Sequence, residues 1–337
     1  MSKKSILVTG GAGYIGSHVV RQLGERGENV VVLDDLSTGF SEAVLYGELV
    51  VGNTGDAACL SDVFSRFDID TVMHFAAKTV VPESVTDPLK YYGNNTCCSR
   101  TLLEACVGAD VQNFVFSSTA AVYGIPPGGI AAETTPTAPI NPYGMSKLMT
   151  EYMLRDVSAV NALNHVALRY FNVAGCDPEG RIGQSTPKAT LLTKVACEAA
   201  VGKRDNLYIY GTDYDTPDGT GVRDYIHVED LADAHLKALD YLRSGGESAT
   251  LNCGYGRGYS VREVIEMVER VAGHALPKVE APRRAGDPPT LIAAADKIRD
   301  TLNWTPRYDD LEQIAASALR WERKLLDEPY GRKHGAA

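Results

Sequence analysis

The stretch SILVTGGAGYIGSHVVRQLGERGENVVVLDD, residues 5–35, constrains this chain more than any other. A short β-rich run, SILVTG, leads into Gly10, Gly13 and Gly16, spaced three apart. Residues 14–26 carry a helical pattern, and NVVVLD at 29–34 is a second strand that closes on Asp34. Bare backbone in such a turn lets a pyrophosphate approach. The following helix then offers its free N–H groups and the positive end of its dipole. An acid closing the next strand is placed to hydrogen-bond the ribose diol of an adenine nucleotide. Asp35 follows Asp34 with no Arg or Lys beside them in sequence, and two acids would repel a 2′-phosphate. The stretch predicts a site for NAD in preference to NADP.

ELVVG (48–52), TVMHFAA (71–77), NFVFSS (113–118) and HVALRYFN (165–172) are further strands, with helical stretches at about 88–107 and 142–160 among them. Strands apolar on both faces, alternating with helices, predict a doubly wound α/β fold around a parallel Rossmann sheet. After residue 173 the texture changes. CDPEGRIGQSTP and GTDYDTPDGTG predict long loops, and helices are expected at about 188–202, 229–243, 260–273 and 309–325. Residues 1–172 are therefore expected to form an NAD-binding Rossmann domain. Residues 173–337 should form a smaller C-terminal α/β substrate-binding region, with part of about 225–257 returning to the Rossmann sheet. The cleft between them is the expected pocket.

The chain's 337 residues suffice for one large domain or two ordinary ones. A net charge of −10 argues against a nucleic-acid partner. The N-terminal MSKKSILVTGG reaches glycine too soon for a signal peptide, and no apolar stretch approaches membrane-spanning length. Seven cysteines, an odd number without a C-x-x-C, predict reduced thiols in a cytoplasmic protein, with neither a disulfide scaffold nor a zinc site.

In NPYGMSKLMTEYML (141–154), Asn141 is a capping residue and Pro142 takes the first helical position. Tyr143 and Lys147 then share one face, a turn apart. This spacing alone leaves a catalytic pair and plain helix surface equally open. The glycine pattern, Ser117-Ser118-Thr119 closing the fifth strand, and Tyr143-x-x-x-Lys147 together resemble the extended branch of the short-chain dehydrogenase/reductase superfamily. That resemblance implies that Thr119, Tyr143 and Lys147 are catalytic. A phenol with an ordinary pKa of about 10 is a poor base at neutral pH. Lys147 and a positive nicotinamide ring would favour the phenolate; a shift to near 7 represents about 4 kcal/mol. Thr119 would hydrogen-bond the reacting hydroxyl.

In SSTAAVYG (117–124), Ala120 and Ala121 stand where the superfamily's nucleotide-sugar 4,6-dehydratases carry an Asp-Glu pair, so water elimination lacks its acid and base. HFAA-K (74–78), PESV (82–85), YYGNN (91–95), RYFNVAG (169–175), YIYGTDYDTPDGTGVRDYIHVEDLA (208–232) and APRRAGDPP (281–289) resemble the UDP-glucose 4-epimerases across essentially the whole chain. The resemblance implies inversion at C4 of a UDP-hexose, UDP-galactose to UDP-glucose, by transient hydride transfer to tightly bound NAD. It also implies a homodimer formed through the helices at 88–107 and 142–160.

Residue by residue, the resemblance implies Arg223, Arg284 and Asn172 on the diphosphate, Asp287 on the uridine ribose and Tyr210 near the uracil. Phe171 and Thr119 should meet the sugar, and backbone near Leu191 should reach the phosphate or uracil. Tyr14, Ile15, Thr54, Phe75, Ala76, Ala77, Lys78, Asn94, Ser117 and Tyr170 should surround the cofactor, with the glycines, Asp34, Asp35, Tyr143 and Lys147. Asn53 stands where many members carry an Asp for the adenine; an amide can pair with the adenine, but the charge is gone. Leu291, four residues after Asp287, stands where some epimerases have a Tyr that excludes N-acetyl sugars and others a small residue that admits them. Leu is of intermediate size, and UDP-galactose and UDP-glucose are the expected preference.

A 4-epimerase of UDP-N-acetylhexosamines, UDP-pentoses or UDP-uronates is the first alternative; the RYFN form counts against uronates. A non-catalytic NAD-binding protein on the same fold is the second, opposed by the intact Thr119, Tyr143 and Lys147. His74 is expected to be structural, and His227 to fix a loop or cap a helix.

Overall fold

The strands are β1 (Ser5–Thr9), β2 (Asn29–Asp34), β3 (Glu48–Val51), β4 (Ile69–His74), β5 (Asn113–Thr119), β6 (Ile130–Ala131), β7 (Asn164–Tyr170), β8 (Asn172–Ala174), β9 (Leu207–Tyr210), β10 (Val222–His227), β11 (Ala249–Cys253), β12 (Gly258–Ser260), β13 (Lys278–Ala281) and β14 (Thr290–Ala293). This computed structural model describes residues 4–187, 189–328 and 330. Residues 1–3 of the N-terminal segment and Lys188 of TPKATLLTK lie outside the described residues.

Seven strands pair in the order β11-β7-β5-β4-β1-β2-β3, every pairing parallel. The cause is visible in β1. Ile6 and Val8 enter the core on one face and Leu7 the core on the other, all fully buried. A strand apolar on both sides needs helices on both sides, and parallel crossovers supply them. Each such side chain contributes about 1.5–3 kcal/mol of burial.

A second sheet runs β12-β10-β14-β6, with β8 beside β10, and β9 pairs with β13 apart from it. β6 lies before residue 172 yet joins the second sheet, whereas β11, inside the stretch of about 225–257 expected to return, extends the first. Asn252 shows what holds this exchange: as part of β11 it donates its side-chain amide to the Ala131 carbonyl of β6, at 2.8 Å.

The helix expected at 88–107 is broken into Pro88–Tyr91, a π-helical turn at Tyr92–Cys97, and Cys98–Gly108. The wider turn is stabilised by buried Asn95, whose amide accepts from the Lys78 N–H at 2.8 Å and donates to the Lys78 carbonyl at 3.0 Å. Such turns concentrate at functional sites. The helix expected at 188–202 is shorter, Leu192–Ala200, with extended Leu191 at its N-cap.

Candidate active site

The C-terminal ends of β1, β2, β4, β5 and β7 share one rim of the large sheet. Strand order reverses beside β1, and such switch points open a crevice. A cavity of about 870 Å³ lies there, walled on its far side by residues of β10 and β14. All the site residues expected from the sequence line it, except Lys147.

The glycine turn fits a dinucleotide. Gly10 has φ +71°, and a Cβ there would stand 2.5 Å from the Ala76 amide nitrogen. A Cβ on Gly16 would overlap the Gly10 carbonyl oxygen, which is backbone and cannot swing away. Gly13 is the N-cap of the Tyr14–Glu25 helix, whose first amides are thus left to a ligand. Gly16→Ala is therefore expected to cost about 1–3 kcal/mol in overpacking at the cradle. Measured as NAD content of the purified protein, the loss should be most of the bound cofactor, and full retention would contradict the account.

At the end of β2, Asp34 accepts from the Ala12 amide at 3.0 Å and the Leu36 amide at 2.8 Å. Burial raises its pKa against those two bonds. Asp35 is held by the Ser37 amide (2.9 Å) and the Asn53 side-chain amide (3.2 Å); burial is outweighed and its carboxyl lies below the ordinary value. Asn53 in turn accepts from the Gly55 amide at 2.7 Å, so both ends of its amide are oriented. The loop after β4 brings a cation, Lys78, beside the two acids, donating to the Ser37 hydroxyl at 3.0 Å. Sequence distance hid that neighbour.

Tyr143 and Lys147, the pair expected to be catalytic, sit on the Pro142–Ser158 helix. Asn141 caps it, accepting from the Gly144 amide at 2.8 Å, and Pro142 opens it. Gly144 lets the helix end press on the Ala121 carbonyl, 2.5 Å from where a Cβ would stand. Tyr143 is thereby fixed over Thr119. Burial pushes the phenol above its ordinary pKa, and the Thr119 hydrogen bond pulls it back. Lys147 is buried behind it. Its ammonium donates to the Ser117 carbonyl at 2.8 Å, and burial brings its pKa down to about 7 against the pull of Glu151. The Lys147 ammonium is thus held by a bond to β5, one helical turn from Tyr143. Ser117 also pairs its hydroxyl with Tyr170 at 2.7 Å.

On the far wall, Arg223 is half-buried, with Nη1 donating to the Val222 (2.8 Å) and Pro289 (3.2 Å) carbonyls. Among the described residues no carboxylate lies within ion-pair distance of it, and burial lowers its pKa. Arg284 is different: it pairs with Asp287 at 2.9 Å and lies over the Tyr210 ring at 4.7 Å. The N-terminus of the Leu192–Ala200 helix opens onto the same cavity.

Asn95 was not among the expected site residues. It clamps the Lys78 backbone and donates to the Ser146 hydroxyl at 3.0 Å, tying the loop after β4 to the Pro142–Ser158 helix. Its only sequence signal is the second Asn of YYGNN. His74 and His227 are structural: His74 is bonded to Thr9 (2.6 Å) and Ser99 (2.8 Å), and His227 caps the Val228–Arg243 helix.

The family model described as "NAD dependent epimerase/dehydratase family" matches residues 6–254. The chain belongs to the NAD dependent epimerase/dehydratase family. It is 59% identical to the UDP-glucose 4-epimerase of Azospirillum brasilense, over 95% of this chain and 92% of that one. Among solved structures of similar proteins is the Bifidobacterium longum UDP-glucose 4-epimerase in complex with NAD+ and UDP. It has a TM-score of 0.90 and 39% identity, covering 95% of this chain and 98% of that one. Another is the Campylobacter jejuni UDP-Glc/GlcNAc 4-epimerase, with a TM-score of 0.83 and 50% identity over 95% of this chain and 99% of that one. The family match ends soon after β11, so β12 to β14 and the last helices lie beyond it.

Proposed function

We propose that this protein is an NAD-dependent UDP-glucose 4-epimerase that interconverts UDP-galactose and UDP-glucose. One observation carries this. A single cavity runs from a bare glycine cradle, past buried Tyr143 and Thr119, to an arginine that has no carboxylate within ion-pair distance among the described residues. The glycine cradle and the acidic end of β2 fit NAD, held by Gly10 to Gly16, Asp34, Asp35, Asn53 and the loop from Phe75 to Lys78. When bound, NAD supplies a hydride acceptor and donor at one position, so the reaction is redox-neutral, and a positive ring that favours the phenolate.

This chain's residues do the rest. Tyr143 takes the proton from the sugar 4-hydroxyl, which Thr119 holds, and later returns it. Arg223 and Arg284 grip the diphosphate while the 4-keto hexose turns to present its other face. A firm hold on the nucleotide and a loose one on the hexose is what such a turn needs. The test is purified protein with UDP-galactose and no added NAD, followed by chromatography. UDP-glucose should form; no conversion even with added NAD would remove the proposal.

The protein works as a homodimer in the cytoplasm. Exposed Leu89, Met149 and Tyr152 on neighbouring helices support the first, and seven unbridged thiols the second. No helix among the described residues is long and apolar enough to cross a membrane, and those residues hold no metal-binding cluster.

A second reading, action on UDP-N-acetylhexosamines, is favoured by the similarity to the Campylobacter jejuni enzyme. Leu291 opposes it. It stands beside Arg223 in the β10–β14 register, buried in a cluster with Phe171, where an added N-acetyl group meets side chain instead of space. kcat/KM for UDP-GalNAc should be at least about tenfold below that for UDP-galactose. Leu291→Ser should narrow the gap. Equal efficiency on the two sugars in the unaltered enzyme would contradict this assignment.

A further inference from the structure

Behind the catalytic helix lies a buried carboxylate for which the mechanism above has no use. Glu151 follows Lys147 by four residues, one turn along the same face, and is 6% exposed. Its carboxylate accepts from the Ser118 hydroxyl at 2.5 Å and from Arg169, through Nε at 2.9 Å and Nη2 at 2.5 Å. Arg169 is locked in turn: Nη1 donates to the Tyr123 hydroxyl at 2.9 Å, which donates to Asn252 at 2.6 Å. Neighbouring residues of β5 thus hold both ends of one helical turn. The Ser117 carbonyl takes Lys147, and the Ser118 hydroxyl takes Glu151.

We propose that Glu151 is a positioning residue for the epimerisation, the buried counter-charge that keeps Lys147 an ammonium so that Tyr143 can ionise. The proposal rests on the roles assigned above to Tyr143 and Lys147.

The charge balance around Lys147 supports it. From β7 comes Arg169, a permanent cation, and Tyr170, neutral because burial raises its pKa. From β4 comes His74, kept neutral by burial, with a pKa of about 3. From the Pro88–Tyr91 helix comes Tyr91, its ring edge-on to Tyr143 at 6.5 Å and also neutral by burial; its partner Glu83 is paired with Lys90 at the cavity mouth. From its own helix Lys147 meets Tyr143 and Glu151. The buried set is two cations and one carboxylate, and the anion that balances it is the Tyr143 phenolate. Without Glu151, Lys147 loses the one charge that raises its pKa, and burial alone acts on it. The same burial that already opposes the ammonium then prevails at lower pH.

The test is kcat against pH for the NAD-loaded enzyme with UDP-galactose. Glu151→Gln should move the alkaline limb down by about one pH unit or more, since removing an adjacent opposite charge shifts a pKa by that order. kcat then falls at least about tenfold more at high pH than at low pH, with KM and cofactor content unchanged. Arg169→Met should move the limb the other way, because Glu151 then serves Lys147 alone. Glu151→Asp should restore the original profile. A purely structural carboxylate would lower kcat by one factor at every pH, and a parallel drop overturns the proposal. If Glu151→Gln does not fold, Arg169→Met decides: an alkaline limb that stays put or moves down overturns it. Wild-type turnover is measured first. Its absence removes the epimerase reading and leaves this one to the tyrosinate absorbance of the holoenzyme, with that of Tyr143→Phe subtracted. There the pKa of Tyr143 must rise in Glu151→Gln, and an unchanged value overturns the proposal.

Discussion

Tyr143→Phe is expected to lower the rate of UDP-galactose conversion by about 10²–10⁴-fold, the usual worth of a placed acid–base group. The substitution removes one oxygen and little else. Tyr143 is 7% exposed, and its ring keeps its edge contact with Tyr91 in the variant. The lost hydrogen bond is the one to Thr119, worth about 0.5–1.5 kcal/mol in stability. The melting temperature and the NAD content of the purified protein should therefore stay near those of the unaltered enzyme while turnover collapses. That separation is the informative result. A variant that keeps its cofactor and retains a tenth or more of the rate would show that another group takes the proton. A variant that loses its cofactor would show that Tyr143 serves binding more than chemistry.

Arg223→Gln is expected to weaken UDP binding by about 10- to 100-fold, the worth of a charge-assisted hydrogen bond of about 1.5–3 kcal/mol. The reason lies in how the two cavity arginines are spent. Arg284 already has Asp287 at 2.9 Å, so part of its charge is neutralised before any substrate arrives. Among the described residues Arg223 has no carboxylate within ion-pair distance; the backbone carbonyls of Val222 and Pro289 orient its guanidinium, and Asp287 acts on it only from further away. A diphosphate completes that site. Calorimetric titration with UDP checks the ranking, and Arg284→Gln should cost less. A larger loss at Arg284 would reverse the assignment. Binding of NAD, at the other end of the cavity, should be unaffected by either change.

The elements nearest the cofactor were legible because local chemistry dictates them. A strand, a glycine turn, a helix and an acid at the next strand's end cannot be permuted without losing the cradle, and Gly10, Gly16 and Asp34 stand where that logic puts them. The cap of the Pro142–Ser158 helix was equally local, since Asn141 and Pro142 act within four residues. What escaped depends on distance. Lys78 reaches the acids of β2 from a loop more than forty residues away. Glu151 reads as one more polar position on a helix until β5 and β7 bring Ser118 and Arg169 to it. β6 is two residues long, too short to carry a periodic signal, and its place in the second sheet rests on pairing with β14. The π-helical turn has no composition of its own, and it forms because Asn95 finds the Lys78 backbone.

An NAD-dependent 4-epimerase both removes and returns the hydrogen at the same sugar carbon, with nothing consumed. UDP-galactose carrying deuterium at C4 tests it directly. With purified enzyme in ordinary water, the UDP-glucose formed should retain the deuterium at C4, read by mass spectrometry or proton resonance. Product that has lost the label to solvent would contradict the account, because the hydrogen would then have left C4 as a proton, and Tyr143 and Thr119 would have to be reassigned.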